Sequence, residues 1–182
     1  MPVVEQSSFL NPSAALAASG IHEGMHVADL GAGSGFFARA AARAVGAHGM
    51  VWAIDSQTDL LPRLKNLAIE EGLTTIEVLR GNAEVVGGTH LPQDAFDLVI
   101  VANLLFSIEE KTECVAEVRR ILKKGGHALV VDWTDSHGGL GPHPGHVIKR
   151  DQAEKLFESQ NFVVARTVPA GAFHWGFLAR KK

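Results

Sequence analysis

Val27-Ala28-Asp29-Leu30-Gly31-Ala32-Gly33-Ser34-Gly35-Phe36 joins an apolar run to an acid, a turn with glycine at alternate positions, and an alanine-rich stretch beyond it. That order predicts a buried strand, a tight glycine turn that lets the backbone approach a ligand, and a helix whose free N–H groups face the same ligand. The spacing narrows the choice of ligand. A dinucleotide fingerprint G-x-G-x-x-G requires Gly or Ala at position 36, where Phe36 stands, so the run reads D-x-G-x-G-x-G. Asp29, Gly31, Ala32, Gly33, Ser34 and Gly35 are the first candidate cofactor-binding residues.

Outward from this run the chain alternates strands and helices. Upstream, Asn11 as a cap, Pro12 at the first helical position and Gly20 frame a short helix, and His26 to Leu30 is the first strand. Downstream, Phe36 to Val45 is a helix closed by Gly46, and Met50 to Ile54 is a strand ending on Asp55. Asp59 to Glu71 is predicted helical, with Gly72 ending it, and Thr75 to Leu79 is the third strand. Phe96 to Val101 is nearly unbroken in apolar character, as suits a parallel strand covered on both faces. Thr112 to Leu122 carries a helical stripe at Val115, Val118, Ile121 and Leu122, closed by Gly125-Gly126, and Ala128 to Asp132 is the next strand. Lys149 to Gln160 reads as a helix. Phe162 to Val168 and Ala172 to Ala179 form a closing hairpin around Pro169-Ala170-Gly171. The pattern predicts an α/β fold, a doubly wound sheet whose last strand runs antiparallel.

Composition sets the frame. The 182 residues suit a single domain over 1–182, with residues 1–25 an N-terminal helical segment. Apolar residues at 46% and a formal charge of −3 describe an ordinary globular chain without the basic balance that nucleic acid demands, so nucleic acid is disfavoured as a partner. Arg119, Arg120, Lys123 and Lys124 read as a helix C-terminus offset by the macrodipole. Met1 to Gln6 lacks the layout of a signal peptide and no apolar run spans a bilayer, which gives no membrane partner and a cytoplasmic expectation. The lone Cys114 sits in a helical pattern and reads as a buried thiol.

In an open parallel sheet the ligand lies beyond the carboxyl ends of the strands. Asp55 stands there about 20 residues after the glycines, where a carboxylate accepts both hydroxyls of a ribose, and Ser56 follows it; a loop or helix cap is the other reading of Asp55. Gly81-Asn82-Ala83 follows the third strand, where an amide either reads a base edge, donating and accepting, or simply forms a turn. Asn103 follows the fourth strand, as a cofactor contact or a strand-end cap.

Taken in order, Asp29-Leu30-Gly31-Ala32-Gly33-Ser34-Gly35, Ala53-Ile54-Asp55, Gly81-Asn82-Ala83, Asp97-Leu98-Val99-Ile100 and Ile121-Leu122-Lys123-Lys124-Gly125-Gly126 resemble the motifs of the class I S-adenosylmethionine-dependent methyltransferases over residues 26 to 133. The likeness is nearest to the broad group that includes the ubiquinone and menaquinone biosynthesis C-methyltransferases. It implies a Rossmann-like, seven-stranded sheet, mostly parallel with the last strand inserted antiparallel, and S-adenosylmethionine as cofactor. It further implies that the glycine loop packs along the methionine part, that Asn82 and Ala83 meet the adenine, and that Asn103 lines the methionine or the transferred methyl. Two positions depart from the pattern. Asn82 stands where that group often has Asp, and Lys124 replaces the proline of L-K-P-G-G.

Methyl transfer by in-line displacement depends mainly on positioning and water exclusion, with a base required only when the acceptor loses a proton. Asp132 and His174 are the catalytic candidates because topology brings both to the ligand edge; a strand-end hydrogen bond is the alternative for each. Thr134 to Val147, rich in Gly, Pro and His, is expected to be a mobile loop bordering the site. His137, His143 and His146 on it lack an acid or thiol at ligand spacing, so a lid is favoured over a metal site and no metal is expected. Phe173, Trp175 and Phe177 read as core rather than a base-stacking platform, and Phe9 and Leu10 as a cofactor cover or plain packing. A short-chain dehydrogenase needs Tyr-x-x-x-Lys, and the chain contains no tyrosine. Ala102-Asn103-Leu104-Leu105 lacks the Asn/Asp-Pro-Pro-Tyr/Phe run that grips a planar amine, which leaves a small-molecule substrate. A homodimer is compatible with the chain, and a non-catalytic S-adenosylmethionine-binding sensor or scaffold subunit is the competing function.

Overall fold

Local chemistry at the first helix behaves as its sequence predicts. Asn11 Oδ1 accepts the amide of Ala14 at 3.0 Å, Pro12 opens α1 (Pro12–Ser19), and Gly20 ends it at φ 81°. The computed structural model describes residues 9–182; the N-terminal reading of Met1 to Gln6 lies outside them. There follow β1 (His26–Leu30), α2 (Phe36–Val45), β2 (Met50–Asp55), α3 (Leu60–Glu70), β3 (Ile76–Arg80), β4 (Phe96–Ala102), α4 (Lys111–Ile121), β5 (Leu122–Trp133), α5 (Arg150–Ser159), β6 (Phe162–Thr167) and β7 (His174–Lys181).

The strands form one seven-stranded sheet in the order β3-β2-β1-β4-β5-β7-β6. β1, β2, β3, β4 and β5 are parallel neighbours, and β7 lies between β5 and β6, antiparallel to both. Because side chains alternate across a strand, β4 serves two cores: Val99 and Val101 pack under α4 and α5, while Leu98 and Ile100 pack under α1, α2 and α3. Trp175 and Phe177 join the first core, their rings stacked 5.8 Å apart; Phe173 precedes β7 and packs elsewhere. Cys114 is buried in the same core, which pushes its thiol up to about 12 and leaves it unreactive.

Two local readings are corrected. The turn at Gly125-Gly126 does not close α4, for Leu122 is already extended (φ −69°, ψ 138°) and pairs with Phe96. The next pair is Leu98 with His127, so Lys123 to Gly126 loop out opposite Asp97, whose carboxylate accepts both Lys123 Nζ at 2.6 Å and the amide of His26 at 2.8 Å. The βα alternation also lapses between β3 and β4, where residues 81–95 hold no helix. A fully buried carboxylate substitutes for it. Glu117 of α4 accepts the amide of Gly87 at 2.7 Å, the hydroxyl of Thr89, and Arg120 Nε at 2.7 Å, and Arg120 Nη2 also reaches the carbonyl of Leu91 at 2.7 Å. Burial pulls the Glu117 pKa upward, but the Arg120 guanidinium, the Gly87 amide and the Thr89 hydroxyl outweigh it and hold it low.

Candidate functional site

The glycine loop is shaped by its own protein. Gly31, Gly33 and Gly35 all take positive φ (71°, 54° and 80°), which a residue bearing Cβ resists. A Cβ on Gly31 would fall 2.7 Å from Leu104 Cδ1, and one on Gly35 would fall 2.8 Å from Leu64 Cγ. The close approach at these two glycines is therefore made by leucines of the chain, not by a ligand as the loop alone implies. Its amides are also engaged. Gly31 and Ala32 donate to the carbonyl of Ile54 at 2.8 and 3.0 Å, Gly35 donates to Ala32 at 2.8 Å, and Gly33 donates to Asp55 Oδ2 at 2.8 Å. With four of its five amides from Gly31 to Gly35 so occupied, the loop lacks the nest of successive free N–H groups that grips a phosphate.

Two hollows flank the loop and share Gly31, Gly33 and Asn103. The larger, about 360 Å³, is lined by Asp55, Ser56, Asn82, Ala83, Glu84 and the Leu104–Ile108 turn, among others. The smaller, about 210 Å³, lies between Leu10, Asp29, Ala32, Ser34, Phe36 and Ala102. Every candidate cofactor residue except Gly35, which packs on Leu64, thus borders one or both, although they come from the ends of four strands. Asp55 spends one oxygen on Gly33 and the other on the amide of Gln57 at 2.9 Å, so it combines loop anchoring with a place on the cavity wall.

The electrostatics are asymmetric. Asp29 is 2% exposed, and its Oδ2 is buried without a partner. Burial drives its carboxyl up to about 8; the amide of Ala38 in the first turn of α2 pulls back, and the charge of Asp55 adds to the rise. Asn103 takes a left-handed conformation (φ 51°), donates its amide to Val131 at 2.9 Å, and leaves its side-chain Oδ1 buried and unpartnered. Two orphaned acceptors beside one small cleft call for a ligand that donates hydrogen bonds or carries positive charge.

Asp132 and His174 part company here. Asp132 is fully buried, with Oδ1 on the amide of Trp133 at 2.8 Å and Oδ2 on that of Phe106 at 3.3 Å, the strand-end bonding that competes with a substrate contact. Burial pushes its carboxyl up to about 6 against these amides. His174 lies 3.2 Å through Nδ1 from the carbonyl of Phe9. A carbonyl only accepts, so Nδ1 bears the proton and Nε2 presents a lone pair, buried and unpartnered. Burial lowers the His174 pKa, which keeps that lone pair free at neutral pH. Around it stand Trp133 at 4.4 Å and Phe9 at 5.7 Å between ring centroids, with Phe173 against Phe9 at 5.2 Å.

The 134–147 segment covers this aromatic group. The backbone at Gly141 rests on the Trp133 ring, 2.6 Å from where a Cβ would sit, and His137 packs on Phe173 at 4.7 Å. His143 and His146 are exposed with rings 5.9 Å apart, and His146 borders a separate hollow of about 700 Å³ that meets the first at Phe106, Ser107 and Ile108. The three histidines do not converge. Sequence reasoning missed Leu104, Glu84 and Glu117, which support the loops from behind; their partners lie too far along the chain to leave a local signal.

Comparison with known proteins bears on the same residues. A family described as a methyltransferase domain matches residues 21–173. The ubiquinone/menaquinone biosynthesis C-methyltransferase UbiE of Laribacter hongkongensis is 33% identical over 127 residues, covering 70% of this chain and 50% of that protein; the chain spans about half the length of the curated relatives it matches. A solved S-adenosylmethionine-dependent methyltransferase from Aquifex aeolicus superposes with a TM-score of 0.86 at 26% identity, covering 96% of this chain and 91% of that one. The [4+2]-cyclase SpnF shares the fold at a TM-score of 0.77 and 16% identity, covering 93% of this chain and 79% of its own.

Proposed function

This chain belongs to the class I S-adenosylmethionine-dependent methyltransferases, and from that premise we propose that it transfers the methyl group of S-adenosylmethionine to a small, ring-bearing acceptor. The observation that carries the reading is the pair of orphaned oxygens, Asp29 Oδ2 and Asn103 Oδ1, in one cleft beside a glycine loop whose Gly31, Ala32, Gly33 and Gly35 amides are already bonded within the chain. Such a cleft suits a cation, which favours the carboxylate form of Asp29, over the pyrophosphate of a dinucleotide.

The cofactor, when bound, supplies an electrophilic methyl on a sulfonium beside an α-ammonium. Asp29 would take the ammonium, Asn103 Oδ1 would meet the sulfonium side, Gly31 and Gly33 form the wall between the hollows, and Asp55 with Ser56 would hold the ribose. Asn82 and Ala83 border the base. The acceptor lies against Phe9, Trp133 and Phe173, where His174 Nε2 takes its proton. Asp132 is a positioning residue that fixes the Leu105–Phe106 turn rather than a contact to substrate. The relatives' printed name, ubiquinone/menaquinone biosynthesis C-methyltransferase, favours a carbon as the methylated atom. Residues 1–182 work on this reading as one domain, with the 134–147 segment, or a second copy of the chain, completing the acceptor side.

One observation favours a second reading, a cofactor-binding sensor or scaffold subunit: His174 Nε2 is closed off. The test is titration with S-adenosylmethionine, S-adenosylhomocysteine and NAD, followed by labelled-methyl transfer to a panel of phenols and quinols. Binding of the first two with label in a ring acceptor supports the enzyme. Binding without transfer to any acceptor supports the sensor, and binding of NAD alone overturns both.

A further inference from the structure

The buried lone pair of His174 belongs to an aromatic group whose members are held very unequally. Trp133 ends β5, pairs in register with His174 of β7 and carries the Gly141 backbone against its ring. The carbonyl of Phe173 accepts both the amide and the hydroxyl of Thr134, at 2.9 and 3.0 Å. That hydroxyl has spent its hydrogen, so His137 Nε2 donates to its oxygen at 3.0 Å. Phe9 is different. It precedes α1, lies in no helix or strand, and is 44% exposed where Trp133 and His174 are 8% and 6%. Its ring nevertheless meets Trp133 edge-on at 5.3 Å, Phe173 at 5.2 Å and His174 edge-on at 5.7 Å. Its carbonyl accepts from His174 Nδ1 at 3.2 Å, and the next tie along the chain is the Asn11 amide on the carbonyl of Ala170 at 3.0 Å. The outermost ring of the group is therefore also the one on the least constrained backbone.

Resting on the acceptor site proposed above, we propose that Phe9 is an autoinhibitory plug: its phenyl ring fills the place of the acceptor's ring and yields it to a flat six-membered aromatic acceptor whose hydroxyl meets His174 Nε2. The exchange is close to balanced, because edge-to-face contacts given up by one ring are remade by another of the same shape. Solvent already reaches much of Phe9, so its departure exposes less new apolar surface than that of Trp133. A puckered, saturated ring cannot remake the contacts. The same exchange gives access to a base whose lone pair is otherwise closed off.

Carbethoxylation by diethyl pyrocarbonate, read at the His174 peptide by mass spectrometry, measures access to Nε2 in the full chain, and protection by phenol measures occupancy of the ring's place. Phe9→Ala is expected to react at least tenfold faster than wild type and to be half-protected by at least tenfold less phenol, while cyclohexanol protects neither. Phe9→Leu, which fills much of the space without a flat ring, should fall between on both scales and decides the matter if the alanine chain does not fold. An unchanged His174 rate overturns the proposal, as does an acceleration shared by His127 elsewhere on β5, which would report a loosened fold. Equal protection of wild type and Phe9→Ala by phenol would make Phe9 a wall beside the acceptor and overturn it too, and so would cyclohexanol protecting as well as phenol. No cofactor enters these measurements, so a failure to bind S-adenosylmethionine would sink the reading above while leaving them unchanged.

Discussion

Asp55 accepts the amide of Gly33 at 2.8 Å across 22 residues of chain, so the acid that ends β2 fixes the middle of the loop that follows β1. Asp55→Ala should therefore act twice, freeing the loop and removing the proposed ribose contact. S-adenosylhomocysteine binding is expected to weaken about 30-fold or more, since a charge-assisted hydrogen bond contributes about 2 kcal/mol. Asp55→Asn, which keeps one acceptor, should fall between. A titration in which Asp55→Ala binds as wild type moves the ribose elsewhere.

Asp29 gives a pH dependence with a definite sign. Its folded pKa of about 8 stands above the unfolded 3.8, so from about pH 4 to 8 the folded state holds a proton the unfolded state has lost, and stability of the ligand-free protein falls across that window. An ammonium reverses the preference by favouring the carboxylate. Binding of S-adenosylmethionine should release a proton and tighten about tenfold per pH unit between 6 and 8, then level off. Asp29→Asn is expected to flatten both curves, as read by urea unfolding and by titration in buffers of different ionisation enthalpy.

His174→Asn should separate binding from turnover. Nε2 is the proton acceptor on our reading, so kcat for a proton-losing acceptor is expected to drop about 100-fold or more, while the cofactor Kd stays within about twofold. In the wild type, kcat/KM should fall as the pH drops through the His174 pKa, below its ordinary 6.5. An acid limb that persists unchanged in His174→Asn assigns the base to another group.

Glu117→Ala tests the link between α4 and the 81–95 connection. The substitution leaves the Arg120 guanidinium, the Gly87 amide and the Thr89 hydroxyl short of a partner, for an expected loss of about 3 kcal/mol. At roughly 2–4 °C per kcal/mol for a chain of this size, calorimetry should record a melting point lower by about 10 °C. A loss under about 1 kcal/mol would mean that the connection stands without it.

Legibility followed the range of the forces. α1, β1, α2 and β2 were readable because Asn11, Pro12, Gly20, Gly46 and unbroken apolar runs encode their ends within a few residues. The insertion of β7 followed from the family resemblance and from the closing hairpin. Leu122 misled because Gly125-Gly126 is a strong local stop signal, while the Phe96 pairing that draws Leu122 into β5 lies 26 residues away. Glu117 looked like one more polar residue on a helix; only its partners, 28 to 30 residues upstream, reveal a buried hub. At the site, residue types were legible and their states were not: nothing in Asp29 or Asn103 as letters signals an unpartnered oxygen, and nothing in Asp132 signals that both oxygens are already bonded.

The buried oxygen of Asn103 has a consequence for product release. If Asn103 lines the cofactor as proposed, Oδ1 faces a cation with fresh cofactor in place; after transfer it faces a neutral thioether and is again short of a partner. The glycine loop, its Gly31, Ala32, Gly33 and Gly35 amides already satisfied from within, gains little by holding on. On the proposed reading the unpartnered Oδ1 thus favours the loaded molecule over the spent one, a bias against product inhibition that resides in one residue at the end of β4.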